Sequence, residues 1–133
     1  MTGSIRQAVR SLDVDEIAGL CAATTSCTVV CCTETGEHLA PAILWMDVRA
    51  DEQMRKIKQL TRQSISAETF LCKALWLKEN EPQLWAKTQV LCEYQDYLNH
   101  WLTGEWCFSA NTACNWGYNN RKKAFDLDFL RAV

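Results

Sequence analysis

Two charged side chains follow an apolar run in the first half of the chain. Residues 43–46 are apolar and strand-like, Asp47 and Arg49 come next, and a helix-patterned segment begins with Asp51 and Glu52. Where a strand passes into a helix, open α/β sheets place their ligand contacts. The alternative is that Asp47 caps the helix, with Asp51 and Glu52 favouring its positive N-terminal end. Taken locally, the spacing favours the cap.

Two of the six tryptophans stand beside polar side chains that can hydrogen-bond hydroxyl groups. Trp45 is close in sequence to Asp47, and Trp116 directly follows Asn115. An aromatic face next to polar groups suits a sugar, so both are candidate ligand walls. The tryptophans that lie at helical positions favouring core packing are Trp76, Trp85 and Trp101.

The spacing of the glycines argues against a phosphate-binding loop, and the positions of the histidines argue against a hydrolase site. A phosphate cradle needs glycines within a few residues of one another, so that backbone N–H groups reach the oxygens. A catalytic nucleophile needs a poised base, but His38 lies beside a predicted turn and His100 at an exposed-looking helix position, so a hydrolase is not expected. The glycines are far apart, at Gly3, Gly19, Gly36, Gly104 and Gly117.

The chain has eight cysteines but no Cys-x-x-Cys pair, and with only two histidines it lacks zinc-site spacing. Most of the cysteines sit inside apolar runs, as small buried hydrophobes do. We predict free core thiols, while the even count leaves a disulfide framework open. The cysteines are Cys21, Cys27, Cys31, Cys32, Cys72, Cys92, Cys107 and Cys114.

The composition is that of one globular domain. The chain has 133 residues, of which 48% are hydrophobic and 23% charged, with a net charge of −2. This balance gives no electrostatic reason to expect a nucleic acid or an anionic membrane as partner. No apolar run approaches the roughly 20 residues of a membrane span, and the N-terminus lacks a secretory apolar core, so we expect a cytoplasmic protein.

Strands and helices alternate along the chain and must position these residues. The patterns predict one α/β unit without repeats or linkers. Apolar runs predict strands over 17–22, 28–33, 42–46 and 90–92, with a hairpin turn at 34–37. Helical spacing predicts helices over the first dozen residues, from residue 48, over 67–78, from Glu81-Pro82, over 94–102, and a last one ending at Val133.

Several motifs in a fixed order resemble the N-terminal domain of the FGGY family of carbohydrate kinases, and within it the pentulose kinases of the ribulokinase or xylulokinase type. The resemblance covers nearly the whole chain, so residues 1–133 are expected to form part of this one domain. The motifs are a Thr/Ser-rich loop within 19–27, the Thr35-Gly36 turn, LWMDVRA at 44–50, KALWLKENEP at 73–82, YQDYL at 94–98 and LTGE at 102–105.

The resemblance implies part of an actin-like, ribonuclease-H-like α/β domain, with a mixed sheet and flanking helices. Such a domain holds the sugar in a cleft that faces a second domain carrying most of the ATP site. The residues that it implies for sugar binding are Ala23, Thr24 and Thr25 in the loop, Asp47 and Arg49 near the hydroxyls or bracing the loop, and Glu68, Asn115 and Trp116 as further candidates.

The family begins with an Asp-x-Gly-Thr/Ser phosphate hairpin, and this chain starts after the matching point. The family's general-base aspartate and its glycine-rich adenosine site fall beyond Val133. The resemblance therefore implies a piece of an ATP- and Mg²⁺-dependent kinase that binds neither ATP nor metal by itself, has no catalytic residue of its own and is inactive alone. Residues 17–22 should then show an unpaired edge with exposed apolar surface.

In the whole enzyme, a hydroxyl of a ketopentose (D-ribulose, L-ribulose or xylulose) would attack the γ-phosphate of ATP. The implied partners are this small sugar, the missing kinase segments in the same chain, and a second copy in a homodimer of the full-length enzyme. The alternative is a non-catalytic remnant that binds a polyol weakly or serves as an interaction module. No nucleic acid and no membrane is expected to bind.

Overall fold

Two antiparallel strands lie at the centre of the fold. In the computed structural model, which describes residues 2–62 and 64–132, β1 (Val29–Cys32) pairs with β2 (Val90–Glu93). The register sets Val29 opposite Glu93 and Cys32 opposite Val90. All residues of β1 are buried, as expected for a β-branched, apolar run. The strands predicted near 28–33 and 90–92 are thereby confirmed.

The other edge of β1 is covered by chain returning from a tight turn. Gly36 has a φ of 84° and donates its N–H to the Thr33 carbonyl at 3.0 Å, which confirms the predicted hairpin turn. The returning segment bridges to β1 at His38 and Ile43. The strand predicted over 42–46 is otherwise wrong, because the chain turns towards solvent after Ile43 and residues 44–46 are exposed.

Helices surround these strands, and the predicted α/β class is confirmed. The second long helix begins at Phe70 instead of residue 67, after a turn in which Thr69 donates its N–H to the Ser66 carbonyl at 3.0 Å. Val133, the predicted end of the last helix, lies outside the described residues. The helices are α1 Thr2–Val9, α2 Asp51–Thr61, α3 Phe70–Asn80, α4 Pro82–Lys87, α5 Tyr94–Thr103, α6 Ala110–Ala113 and α7 Leu127–Ala132. None of them is long and apolar enough to cross a membrane.

Helix α3 is the centre of the core and is buried on more than one side. Phe70 and Leu77 pack against β1, and Leu71 and Leu75 pack against Ile57 of α2. A helix that is apolar on most of its circumference belongs in the interior. Helix α3 therefore packs against both β1 and α2.

Residues 17–22 form no strand, although we expected a buried one. Ile17 and Leu20 are 40% and 62% exposed. A strand must pair its backbone N–H and C=O groups with a neighbour, and no strand of the described residues pairs with this segment. The prediction of a strand is wrong, whereas the exposed apolar surface that we expected here is present.

The C-terminal part adds a small second sheet. A 3₁₀ turn over Cys114–Trp116 leads into β3 (Tyr118–Asn119), which pairs antiparallel with β4 (Ala124–Phe125). The turn packs against the start of α3, where the Trp116 and Phe70 rings stack with centroids 5.0 Å apart. The sheets are thus smaller than the mixed sheet that we expected.

All eight cysteines are free thiols. Burial in the core is confirmed for half of them and is wrong for the exposed ones, which lie in surface loops or, for Cys114, at the start of the 3₁₀ turn whose packing against α3 is made by Trp116. Cys27 is half-buried. The buried cysteines are Cys31, Cys32, Cys72 and Cys92, and the exposed ones are Cys21, Cys107 and Cys114.

Candidate functional site

A buried lysine joins two segments that carry candidate residues. Lys73, in the first turn of α3, has no exposed surface. Its Nζ donates to the carbonyl oxygens of Cys27 at 2.9 Å, Leu44 at 2.7 Å and Trp45 at 3.1 Å. Burial lowers its pKa, since desolvation disfavours the ammonium ion, and the negative charge of Asp47 opposes that shift. Lys73 thereby connects the loop before β1 to the segment that follows Ile43, residues 44–49, here called the Trp45 tip.

Hydroxyl groups of the loop before β1 reinforce the same connection. Thr28 Oγ1 accepts from the Trp45 N–H at 3.2 Å and lies 3.0 Å from Thr25 Oγ1. Thr24 donates its hydroxyl to Gln95 Oε1 at 3.3 Å. Ala23 is exposed, so its backbone and methyl group face solvent. The three predicted loop residues therefore lie at one open edge of the domain.

A buried carboxylate holds the other side of this loop. Glu93, at the end of β2, has no exposed surface. Its Oε2 accepts from the Cys27 N–H at 3.1 Å and the Ser26 hydroxyl at 3.4 Å. Its Oε1 accepts from Asn115 Nδ2 at 3.0 Å and Trp116 Nε1 at 3.3 Å. One carboxylate thus brings the loop and the predicted Asn115-Trp116 pair together, although 89 residues separate Asn115 from Ser26, which also hydrogen-bond at 2.7 Å.

A second buried acid supports Glu93. The side chain of Asp96 accepts from the Glu93 N–H at 3.1 Å and completes a capping box at the start of α5. The pKa of Asp96 is raised to about 6, chiefly by burial and also by the charge of Glu93, while the backbone hydrogen bond from Glu93 opposes the shift. The position of Glu93 is therefore fixed through both its backbone and its carboxylate.

Asp47 and Arg49 bind each other rather than the helix that follows. Asp47 accepts from the Arg49 N–H at 2.9 Å and from its guanidinium at 2.7 to 3.0 Å. These hydrogen bonds lower the pKa of Asp47. The hypothesis that Asp47 caps α2 is wrong, because α2 begins at Asp51 and its N-cap position is Ala50. The Arg49 guanidinium also lies 4.8 Å from the centre of a Trp76 ring.

The two candidate ligand walls differ in exposure. Trp45 is 44% exposed beside the Asp47–Arg49 pair, whereas Trp116 is half-buried and stacks on Phe70. Trp76 is largely covered by core residues, as predicted. Core packing is wrong for Trp85 and Trp101, which lie on the outer faces of α4 and α5 and are 36% and 42% exposed.

Glu68 stands apart from these contacts. Its side chain is exposed, and its backbone N–H donates to Ser66 Oγ at 3.4 Å. Its charge acts on Lys73 and partly opposes the lowering of the Lys73 pKa by burial. A cavity of about 220 Å³ opens between Ser66, Thr69 and Asn115. The structure therefore brings the neighbours of Glu68, but not its carboxylate, close to Asn115.

His100 is not the ordinary surface residue that we expected. Its ring is partly buried and stacks on Trp106, with centroids 4.0 Å apart and planes at 3°. It also lies against Gly36 at the hairpin turn. His38 is exposed, as expected. Neither ring adjoins a thiol or hydroxyl of the loop before β1 in the described contacts.

Three buried charged residues, Lys73, Glu93 and Asp96, hold the site together, and this role was not predicted from the sequence. Their sequence context nevertheless indicates it. Lys73 interrupts an otherwise apolar helix face, and Glu93 directly follows a buried strand. A charged residue at a core position is retained only when partners satisfy it. A charged residue within an apolar segment is therefore a sequence signal for a buried polar network.

Comparison with protein families gives one match over the whole chain. Residues 1–133 match the model of the "FGGY family of carbohydrate kinases, N-terminal domain". A xylulose kinase from Lactococcus lactis is 35% identical over 97 residues, covering 67% of this chain and 19% of its own length. An FGGY carbohydrate kinase domain-containing protein from Xenopus laevis is 31% identical over 120 residues, covering 84% of this chain and 22% of its own length. The chain spans about a fifth of these relatives.

Solved structures share the fold. A xyloylose kinase from Brucella ovis superposes with a TM-score of 0.81 at 19% identity and covers 97% of this chain and 28% of its own. A gluconate kinase from Lactobacillus acidophilus has a TM-score of 0.81 at 19% identity, covering 96% of this chain and 28% of its own. The expected actin-like α/β fold is thereby confirmed.

Proposed function

The chain belongs to the FGGY family of carbohydrate kinases, and from this premise we propose that it forms part of the sugar-binding half of an ATP-dependent kinase. The kinase phosphorylates a hydroxyl of a ketopentose, namely D-ribulose, L-ribulose or xylulose. The named xylulose kinases among the relatives support a pentulose, as do the motifs at 44–50 and 73–82.

One observation carries this proposal. Three separate segments that the family resemblance associates with the sugar converge at one edge of the domain. Lys73 ties the loop at residues 23–27 to the Trp45 tip, and Glu93 ties the same loop to Asn115. A polyol needs several hydrogen-bonding groups fixed relative to one another, and rigid supports of this kind provide them.

Within the site, the side chains have separate roles. The Asp47 carboxylate, held by Arg49, accepts hydrogen bonds from sugar hydroxyls, and the exposed Trp45 face packs against the sugar carbons. Thr24 and Thr25, in the loop before β1, provide further hydroxyl groups. Phosphoryl transfer depends on positioning and on charge neutralisation, and this chain contributes the positioning of the acceptor.

ATP and Mg²⁺ are assigned to other parts of the whole enzyme. The dispersed glycines provide no phosphate cradle. Among residues 2–62 and 64–132, no group of three His, Cys, Asp or Glu side chains could hold a metal ion. We therefore give no residue of this chain a role at the phosphates, and we expect the polypeptide alone not to transfer phosphate. The whole enzyme is a cytoplasmic protein that can form a homodimer.

Calorimetric titration of the purified chain tests this proposal. D-xylulose, D-ribulose and L-ribulose should bind in the millimolar range or better, and Asp47→Asn should weaken binding about tenfold without changing the melting temperature by more than a few degrees. Glu105→Gln, at an exposed position, is the matched control. Equal binding by wild type and Asp47→Asn would remove Asp47 from the site, and turnover of ATP with a pentulose would contradict the expected inactivity.

The exposed tip favours one other function, an interaction module without catalysis. Leu44, Met46 and Val48 are each more than half exposed, and a contiguous apolar patch marks an interaction surface. Sedimentation of the chain with and without pentulose separates the two functions. Self-association that a sugar does not affect would favour the interaction module.

A further inference from the structure

Cys27 adopts an unusual backbone conformation at the end of residues 23–27, the loop before β1. Its φ is 63°, in the left-handed region that non-glycine residues avoid. A strained residue of this kind persists only where its surroundings hold it, and such residues concentrate at functional sites.

Two buried charges of opposite sign hold this one residue. The Glu93 carboxylate accepts from the Cys27 N–H at 3.1 Å, and the Lys73 ammonium donates to the Cys27 carbonyl at 2.9 Å. Both side chains are fully buried. Buried charges make stronger hydrogen bonds than exposed ones and carry a large cost if a partner is lost, so this arrangement resists distortion.

Resting on the proposed function, we infer that Glu93 and Lys73 are positioning residues of the sugar site. They hold Cys27 in its left-handed conformation and thereby fix the direction in which residues 23–26 lead into β1. Glu93 also holds Asn115, and Lys73 also holds the carbonyl of Trp45. The pair therefore sets the distances between all three segments of the site without touching the sugar.

Glu93→Gln tests the acidic member of the pair. Each Glu93 oxygen accepts from two donors, the Cys27 N–H and Ser26 on one side and Asn115 and Trp116 on the other. A glutamine presents an oxygen to one side and an NH₂ group to the other, so one segment must detach. We expect the dissociation constant for the best-binding pentulose to rise at least tenfold, with no such rise in Glu105→Gln.

Lys73→Met tests the basic member and keeps the apolar stem of the side chain. It leaves three carbonyls without their common donor, and we expect the same tenfold loss of binding. The control Lys78→Met changes an exposed lysine on the same helix and should leave binding unchanged. Unchanged binding in both Glu93→Gln and Lys73→Met would overturn the inference.

A rescue experiment separates positioning from mere stability. Glycine takes a φ near 60° without strain, so where Glu93→Gln releases the Cys27 N–H, adding Cys27→Gly should improve binding at least threefold over Glu93→Gln alone. No improvement in a Glu93→Gln variant whose Cys27 N–H exchanges faster than in wild type would contradict the role of the strained residue. If Glu93→Gln does not fold, Ser26→Ala replaces it, because Ser26 is exposed and hydrogen-bonds both Glu93 and Asn115.

Amide hydrogen exchange provides a measurement that does not require a sugar. The Cys27 N–H or the Trp116 indole N–H should exchange at least tenfold faster in Glu93→Gln than in wild type. If wild type binds no pentulose, the proposed function fails, while this exchange still decides whether Glu93 holds the loop. Unchanged exchange at both groups would overturn the inference.

Discussion

The backbone N–H of Glu93 donates to the carboxylate of Asp96 at 3.1 Å, and both side chains are almost fully buried. The other oxygen of Asp96 has no hydrogen-bond partner. A buried carboxylate in this position carries a cost when it ionises. The stability of the domain should therefore depend on pH in a direction opposite to that of an ordinary acidic residue.

The first prediction concerns Asp96, whose pKa is raised to about 6 from 3.8. Between these two values the folded state binds more protons than the unfolded state, so stability falls as the pH rises through this window. Asp96→Asn keeps an acceptor for the Glu93 N–H but cannot ionise. Its stability relative to wild type should rise by about 2–3 kcal/mol between pH 4 and pH 7, measured by urea unfolding.

A relative stability of Asp96→Asn that stays constant over this pH range would contradict the first prediction. Asp128→Asn, at an exposed position on α7, is the control and should show no comparable change.

The second prediction concerns Asp47, whose pKa is lowered by the hydrogen bonds from Arg49. The ionised Asp47 stabilises the folded state at pH values above 3.8, the pKa of the unfolded chain. This stabilisation is lost as the pH falls through the lower pKa of the folded state. Because both side chains are partly exposed, Asp47→Asn should cost only about 0.2–1 kcal/mol at pH 7. In urea unfolding, the difference in stability between wild type and Asp47→Asn should shrink as the pH falls below 3.8. A gap that widens in acid would be inconsistent with the pair.

The third prediction concerns Gly36 at the hairpin turn. A Cβ atom there would lie 2.7 Å from His100 Cδ2, and the φ of 84° disfavours any side chain. Gly36→Ala should destabilise the fold by about 2–4 kcal/mol in chemical unfolding, from backbone strain plus displacement of the ring.

Gly104→Ala is the matched control for Gly36→Ala. Gly104 has a similar φ of 78° but nothing within 4 Å of the added Cβ, so only the backbone cost of about 1–2 kcal/mol should remain. Equal losses in the two variants would show that His100 moves aside freely.

The fourth prediction concerns thiol reactivity. Burial raises the pKa of Cys72 to about 11 and also raises that of Cys92, so neither thiol should react with an aromatic disulfide reagent at pH 8 before unfolding. Cys21, Cys107 and Cys114 are exposed and should react within minutes. Mass spectrometry of the labelled peptides identifies the sites. Modification of Cys72 at the rate of Cys21 would contradict its burial.

The sequence predicts those parts of this fold whose signals are local. Apolar β-branched residues at Val29 and Val30, the turn at Gly36 and the proline at the start of α4 each act over a few residues, and the structure agrees with them. The strand expected at residues 17–22 depends on a distant partner, which composition cannot reveal.

The same distinction applies to the candidate site. Neighbouring residues such as Asp47 and Arg49 could be grouped from their spacing, but the alternative that Asp47 caps the following helix is wrong, because the helix begins four residues later. Contacts such as that of Ser26 with Asn115 bridge 89 positions and follow from tertiary packing around Glu93. Sequence spacing holds no information on them.

The three acceptors of Lys73 are main-chain carbonyls, which every amino acid possesses. The side chains at positions 27, 44 and 45 can therefore change without removing a single hydrogen bond of this lysine. A frame of that kind leaves the surface of the loop and tip open to variation. Substitutions at Leu44 and Trp45 should therefore cost little stability, whereas position 73 should accept almost no replacement.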